Sequence, residues 1–283
     1  MKIVENLDLT LYNSYRIKAT CRCAYFPENE IDVVNFYKEK KSFILLGSGH
    51  NIILSKDYYD EDFLIFHGNY AGIYINDDLV EVEAGAYMWD VSKAALNASL
   101  KGAEFFYDIP SSLGGAIVMN AGASGEEIKD ILVKVTYFDL EDYNVKEIFK
   151  DEMSFEYRNS FFQRNTDKVV LKAQLKLEKA NKTDVALKME AFKASRWNKQ
   201  PKAFPNGGSV FKRPKGYYVG AIVEELGLKG FSIGGAMISE KHGGFIINYN
   251  NATGEDILNI ISEVRKRVLD RFNVDLEVEQ RVI

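Results

Sequence analysis

The 283-residue sequence holds only two cysteines, three histidines and five prolines, and its 36 basic and 41 acidic side chains leave a net charge of just −5. Each scarcity excludes something. Cys21 and Cys23 stand alone as a C-x-C pair, too few ligands for a structural zinc site without further Cys or clustered His. They read as buried or half-buried free thiols. The mildly acidic balance argues against a nucleic-acid-binding surface, although not against a local basic pocket for a phosphorylated small molecule. No apolar run approaches the length that spans a bilayer, and the opening MKIVENLDLT has no apolar stretch behind its basic residue, so the expectation is a cytoplasmic protein. Internal repeats and low-complexity segments are absent. What is present, 46% hydrophobic residues with 13% aromatics, is enough to build the core of one large or two ordinary domains.

The segment around which the chain is organised runs from Ile109 to Gly125, IPSSLGGAIVMNAGASG, where ten of the fifteen residues from Ser111 onward are Gly, Ala or Ser. Gly114, Gly115, Gly122 and Gly125 can take positive φ and admit close approach of a backbone or a ligand. Ser112 and Asn120 add donors and acceptors to an otherwise apolar surface, as cofactor sites do. A tightly packed core segment whose small residues merely let elements approach fits the same composition. A second candidate is the loop Gly47-Ser48-Gly49-His50-Asn51, set between the apolar strands FILL and IIL. Such a turn is a plausible nest of backbone N–H groups for a diphosphate. It carries no GK[ST] and no G-x-G-x-x-G opening a helix, and plain tight turns share its composition.

Elsewhere the pattern predicts a strand over residues 13 to 27, a short helix from Ile31 to Lys41 behind an Asn29 cap, and three short strands between residues 62 and 85 with a turn at Asp77-Asp78. Helical spacing from Tyr87 to Leu100 ends at Gly102, where a C-terminal cap belongs. A hairpin over residues 131 to 150 and a strand from Val169 follow. An amphipathic helix presents Val185, Met189 and Phe192 on one face. Prolines at 201, 205 and 214 then mark a boundary. Beyond it come a helix from Tyr218 to Leu226, strands near Ala236 and Phe245, a strongly periodic helix from Glu255 to Phe272 and a last strand, DLEVEQRVI. In that strand Glu277 and Glu279 share one face, as residues of a solvated face also would.

Two further stretches carry charge into a suggestive setting. Arg158 lies among Phe155, Tyr157, Phe161 and Phe162, and an apolar frame strengthens a cation's hold on a bound anion. A surface arginine stacked on one ring fits equally well. The turn Pro205-Asn206-Gly207-Gly208-Ser209-Val210-Phe211-Lys212-Arg213-Pro214 combines a serine with two cations, as a phosphate-holding loop does, although many such loops hold none.

Taken in order, NSYRI at Asn13, LGSGHNIIL at Leu46, EFF-x-x-IPSSLGGA-x-x-MNAGA-x-G at Glu104, YRNSF at Tyr157, KQP at Lys199, GGSVFKRP at Gly207, ISEKHGGFIIN at Ile238 and LEVEQR at Leu276 closely resemble the UDP-N-acetylenolpyruvoylglucosamine reductase family. These are flavoenzymes that complete UDP-N-acetylmuramate for bacterial peptidoglycan. The resemblance runs nearly end to end, and eight motifs in register are far more specific than any one.

The resemblance implies a mixed α+β and α/β architecture. An FAD-binding domain of the vanillyl-alcohol-oxidase (p-cresol methylhydroxylase) type would cover residues 16 to 179 after an N-terminal segment, 1 to 15. A helix and linker from 180 to 204 would lead to an α/β substrate-binding domain from 205 to 283, whose last strand returns towards the active site. The short spacing from Arg158 to Lys199 is similar to the shorter of the family's two structural types. Non-covalent FAD would be held by Gly47, Ser48, Gly49, His50, Asn51, Ser112, Gly114, Gly115, Asn120, Ala121 and Gly122. NADPH would reduce the flavin, and the enolpyruvyl sugar nucleotide would then receive the hydride. Arg158 would stabilise negative charge on its carboxylate, Ser209 would donate a proton and Glu279 would act as a polarising acid. Tyr157 would bind the substrate, and Lys199, Lys212, Arg213 and His242 the substrate or the nicotinamide nucleotide phosphates. The expectation is a monomer with no metal, nucleic-acid or membrane partner. A flavin-binding relative without turnover, or a reductase of the same fold acting on another sugar, are the alternatives.

Some positions differ from the family pattern. Lys18-Ala19 replaces Gly-Gly, His50 a Ser, Ser111 a Gly, Ser124 an aromatic and Gln280 a Val. His50 leaves the diphosphate to the backbone N–H groups of its loop. The chain given stops at Ile283, so the Glu279 strand has to be held without a following tail.

Overall fold

Alternation of apolar and polar residues writes the larger of the sheets. In the computed structural model, which describes residues 1–39 and 42–283, the strands Asn144–Phe149, Leu132–Asp139, Lys168–Lys176, Leu79–Glu83 and Ile73–Asn76 lie side by side in that order, each antiparallel to its neighbour. The predicted hairpin and the strand after it are both here. Along Lys168–Lys176 the side chains of Leu171, Ala173 and Leu175 are buried, the period of two that a half-covered sheet requires. Asp77, at φ +56°, makes the tight turn between the last two strands.

Contacts divide the chain into two compact units. The first holds Met1–Val4, Cys23–Ser48 and Glu61–Ser195, and the second holds Glu5–Arg22, Gly49–Asp60 and Arg196–Ile283. Within the first, the helices Met88–Asn97 and Leu113–Val118 add Val91, Leu113 and Ile117 to a core shared with Val82, Phe138 and Leu171. The helix Glu30–Glu39 starts behind Asn29, whose Oδ1 accepts the Asp32 N–H at 2.9 Å. The last two residues predicted for it, Lys40 and Lys41, lie outside the described residues.

Two sequence expectations give way to local competition. The helix predicted to reach Leu100 stops at Asn97, and Ala98 caps it through N–H bonds to the Ala94 and Ala95 carbonyls of 3.0 and 3.1 Å. Leu100–Lys101 pairs instead with Glu178–Lys179, which buries Leu100, so Gly102 with φ +118° follows a strand and not the helix. The strand predicted from residue 13 begins only at Thr20. Buried Asn13 prevents an earlier start. Its Nδ2 donates to the Leu9 and Ile17 carbonyls at 2.9 Å each and its Oδ1 accepts the Ile17 N–H at 2.9 Å, closing a turn in place of a ladder.

In the second unit an antiparallel sheet runs Asn206–Ser209, Phe245–Asn248, Ala236–Ile238, Ser232–Ile233. The long helix Gly254–Phe272 packs on its last two strands and buries Ile257, Ile260, Ile261, Val264 and Val268, five of the six residues in the stripe that the periodicity predicts; the sixth, Phe272, is half-buried at the helix end. Each such side chain contributes about 1.5–3 kcal/mol of burial. The final segment is not one continuous strand. Val278 bridges Phe211, and only Arg281–Val282 forms a strand, parallel to Ile52–Ile53. The Ile283 carbonyl accepts from Ser55 Oγ at 2.6 Å and Tyr59 OH at 2.7 Å, which holds the segment down. No helix among the described residues is long and apolar enough to cross a membrane.

The start of the long helix offers a direct test of its anchoring. Thr253 Oγ1 accepts the Asp256 N–H at 3.1 Å, while Asp256 Oδ2 accepts the N–H groups of Thr253 and Gly235 at 2.9 and 3.1 Å. Thr253→Ala is expected to destabilise the protein by ~1 kcal/mol, and Asp256→Ala, which also frees the Gly235 N–H, by more. Urea midpoints measure both, and equal losses would contradict the role given to Gly235.

Candidate cofactor and substrate site

In the first unit the predicted cofactor residues hold one another in place. Ser48 Oγ accepts the Ser112 N–H at 3.1 Å and donates to the Pro110 carbonyl at 3.3 Å. A Cβ on Gly47 would lie 2.8 Å from Ser112 Oγ, so glycine there permits the contact. Ser112 in turn caps the helix Leu113–Val118, its Oγ accepting the Gly115 N–H at 3.4 Å. Of the four glycines expected to use positive φ, only Gly125 does, at +92°. Gly114 and Gly115 are helical. Gly122 is needed for space, since a Cβ there would stand 2.2 Å from the Glu126 carbonyl across the hairpin that Gly122–Ala123 forms with Glu126–Glu127. Ala121, half-buried between them, accepts the Ile128 N–H at 2.9 Å.

Asn120 is fully buried at φ +44°. Its Nδ2 donates to Glu127 Oε2 and the Glu156 carbonyl at 3.0 Å each, while its Oδ1 has no partner among the described residues. A buried acceptor without a donor is costly, and a ligand N–H would relieve it. The residues therefore fit a polar, flat cofactor. Arg158, itself at φ +54°, reaches the same run: Nη1 donates to the Asn120 carbonyl at 3.3 Å and Nη2 to that of Gly122 at 3.1 Å. Its guanidinium lies 5.1 Å from the Tyr157 ring centre. The expected frame of four aromatics is only partly realised, because Phe161 and Phe162 turn to Tyr137 in the core.

The second unit gathers the other candidates. Gly49, at φ +72°, leaves room for the Tyr12 carbonyl, from which a Cβ would be 1.9 Å. Half-buried His50 follows. Asn51 Nδ2 donates to the Glu279 carbonyl at 3.2 Å. Between the pairs Asn206↔Ile247 and Ser209↔Phe245 the register slips by a bulge at Gly207-Gly208, and Ser209 emerges exposed. The Glu279 N–H bonds the Val210 carbonyl at 2.8 Å. Ser209 and Glu279 thus sit on segments that are hydrogen-bonded to each other. Glu277, expected to project with Glu279, binds Lys212 Nζ at 2.6 Å.

The remaining cations differ in kind. Arg213 stacks on Tyr218 at 4.8 Å and Lys199 is exposed at the end of its helix. His242 Nδ1 accepts the Gly244 N–H at 3.0 Å, which fixes its proton on Nε2. Burial lowers its pKa, which favours the uncharged ring at neutral pH. A cleft of about 440 Å³ in this unit is lined by Trp197, Pro201, Phe204, Met237, Lys241 and Ile247. Sequence periodicity marked none of these as site residues. Three acids of the first unit, Asp139, Glu141 and Asp167, lie close enough to share a cation, and the Lys168 ammonium already contacts all three.

Residues 22–145 match the model of an FAD binding domain, and residues 200–283 match that of the UDP-N-acetylenolpyruvoylglucosamine reductase C-terminal domain. The UDP-N-acetylenolpyruvoylglucosamine reductase of Francisella tularensis is 41% identical over 99% of both chains, and that of Thermosipho melanesiensis is 42% identical over 99% of both. The chain belongs to the UDP-N-acetylenolpyruvoylglucosamine reductase family. It is an FAD-dependent oxidoreductase. The crystal structure of the family's enzyme from Thermus caldophilus aligns with a TM-score of 0.82 and 27% identity, covering 99% of this chain and 98% of that one. Its two-domain flavoprotein fold is therefore the fold of this chain.

Two outcomes follow from this geometry. Gly49→Ala combines positive φ with a 1.9 Å clash against backbone and is expected to cost ~3 kcal/mol or more, whereas Gly125→Ala, with φ +92° but open space, should cost only ~1–2 kcal/mol. Urea denaturation of both variants checks the contrast. NMR titration of His242 should show the Nε2–H tautomer at neutral pH and a midpoint below the ordinary 6.5. Because the unfolded chain then takes up the proton first, this group withdraws stability as pH falls below about 7. A midpoint above 6.5 would assign His242 a cationic role instead.

Proposed function

We propose that the protein reduces UDP-N-acetylglucosamine enolpyruvate to UDP-N-acetylmuramate with NADPH, in cytoplasmic peptidoglycan precursor synthesis. The similarity to the Francisella tularensis reductase, 41% identity over 99% of both chains, carries this reading. FAD supplies hydride transfer between NADPH and the enolpyruvyl methylene carbon, and Gly47 to Asn51, Ser112, Asn120 and Gly122 are the residues we assign to holding it. Residues 16 to 179 form the cofactor half in this scheme and residues 205 to 283 the substrate half. NADPH oxidation that depends on the enolpyruvyl sugar nucleotide tests the whole.

The residues have separate tasks. As hydride reaches the methylene carbon, negative charge spreads onto the substrate carboxylate, and the Arg158 fork stabilises it. Two carbonyls orient that fork. Ser209 gives its hydroxyl proton to the adjacent carbon, which completes the saturated lactyl ether. Glu279 partners the step as the polarising acid. The serine then regains a proton from solvent. Tyr157 binds the substrate, Lys199, Lys212, Arg213 and His242 bind the substrate or the phosphates of the nicotinamide nucleotide, and the aromatic-lined cleft with Lys241 suits a nucleotide.

Three results are expected. Acid precipitation should leave FAD in the supernatant, since the glycine-rich run holds no His or Cys to bind it covalently; flavin in the pellet would contradict this. Arg158→Lys should keep its flavin and lose turnover, because a single ammonium does not reproduce the planar fork. Ser209→Ala should accept hydride from NADPH normally, yet transfer it to the sugar nucleotide ~10²-fold more slowly. Stopped-flow absorbance separates the two steps, and equal slowing of both would move the proton donor elsewhere.

A further inference from the structure

Gln280 stands where the family resemblance leads one to expect valine, and it is only 4% exposed. Its Nε2 lies 2.9 Å from the Gly207 carbonyl and 3.4 Å from those of Gly208 and Ser209. Its Oε1 lies 2.9 Å from the Tyr15 hydroxyl. Carbonyls can only accept, so the amide NH₂ faces them and Tyr15 donates its proton to Oε1. Tyr15 is wholly buried, and burial keeps its phenol protonated by raising its pKa. Gly207 is enclosed between the two, with room for a Cβ at only 2.5 Å from Tyr15 Cε2 and 2.7 Å from Gln280 Nε2.

The bulge makes this clamp necessary. Gly207-Gly208 interrupt the ladder just before Ser209, and Gly208 takes φ +81°. A bulge re-aims the side chain that follows it, yet two glycines leave that aim soft. The Gln280 amide gathers three successive carbonyls across the bulge. Glu279, the residue before Gln280, donates its own N–H to the Val210 carbonyl, immediately after Ser209.

We infer that Gln280, braced by Tyr15, is a positioning residue that fixes Ser209 relative to Glu279. This rests on Ser209 being the proton donor of the proposed reaction. A buried amide that merely satisfies its neighbours would affect folding alone. A positioning residue affects one chemical step.

The test uses the full-length holoenzyme with Tyr15→Phe and Gln280→Met together, which removes both ends of the side-chain pair while keeping their shapes. Flavin content and the rate of flavin reduction by NADPH are expected to stay at wild-type levels. Transfer to the sugar nucleotide should slow about tenfold at saturating substrate with KM unchanged, and the solvent deuterium isotope effect on that step should rise. Amide hydrogen exchange across Gly207 to Val210 should quicken by about tenfold, a readout that needs no turnover. In a Ser209→Ala background the same pair should add nothing to the slowing. Additive slowing there, an unchanged isotope effect, or loss of both steps in proportion to lost folded protein would overturn the role. If the double variant does not fold, Tyr15→Phe alone decides by the same criteria with a smaller expected effect. A wild-type protein that does not oxidise NADPH with the sugar nucleotide sinks the proposed function itself, whereas a wild type that does, matched by its variant, sinks only the role of Gln280.

Discussion

Two backbone hydrogen bonds, from the Glu279 N–H to the Val210 carbonyl at 2.8 Å and from the Lys212 N–H to the Glu277 carbonyl at 2.9 Å, tie the last segment of the chain to the bulged strand. The chemistry assigned to the second unit depends on them. They set Ser209 and Glu279 on adjoining segments, they bring Lys212 within reach of Glu277, and they carry Gln280 under the bulge. Backbone bonds suit this task because they do not depend on side-chain rotamers. A hydroxyl and a carboxylate can then be exchanged or repelled without shifting the frame.

Charge is handled differently in the two units. Arg158 donates to the carbonyls of Asn120 and Gly122, neutral acceptors that align a guanidinium without adding a counter-charge of their own. Lys212 already has Glu277 beside it, so an incoming anion would compete for it. His242 brings a hydrogen-bond donor without a charge. Cations near a candidate site in a sequence are thus not equivalent, and their neutral or acidic neighbours decide which of them can take a new anion.

Strong periodicity made much of the fold legible. The helix Gly254–Phe272, the hairpin before Lys150 and the strand Lys168–Lys176 all follow patterns of 3.6 or 2 that burial enforces. The failures have local causes. Asn13 closes a turn with its own side chain, and Leu100 finds a strand partner in a segment near residue 178 that no window of sequence reveals. The glycine-rich run was legible as a place of close approach, although Gly114 and Gly115 proved helical and Gly122 needed space and not positive φ. Gln280 could be seen to differ from the family pattern. Its meaning could not be read, because its partner Tyr15 is 265 positions away and nothing in either neighbourhood points to the other.

That separation also shapes how the molecule comes into being. The second unit is assembled from Glu5–Arg22, Gly49–Asp60 and Arg196–Ile283, and its bonds from Tyr15, Ser55 and Tyr59 close over 265, 228 and 224 positions. Contacts of such reach form slowly, since loop entropy is lost before they repay it. During synthesis Tyr15, Ile52 and Ile53 lack their partners Gln280, Arg281 and Val282 until the last residues emerge. The long stretch Glu61–Ser195 is meanwhile complete. Until those partners are made the apolar side chains of the early pieces lack their native cover, and such exposure is where aggregation of long-range folds begins.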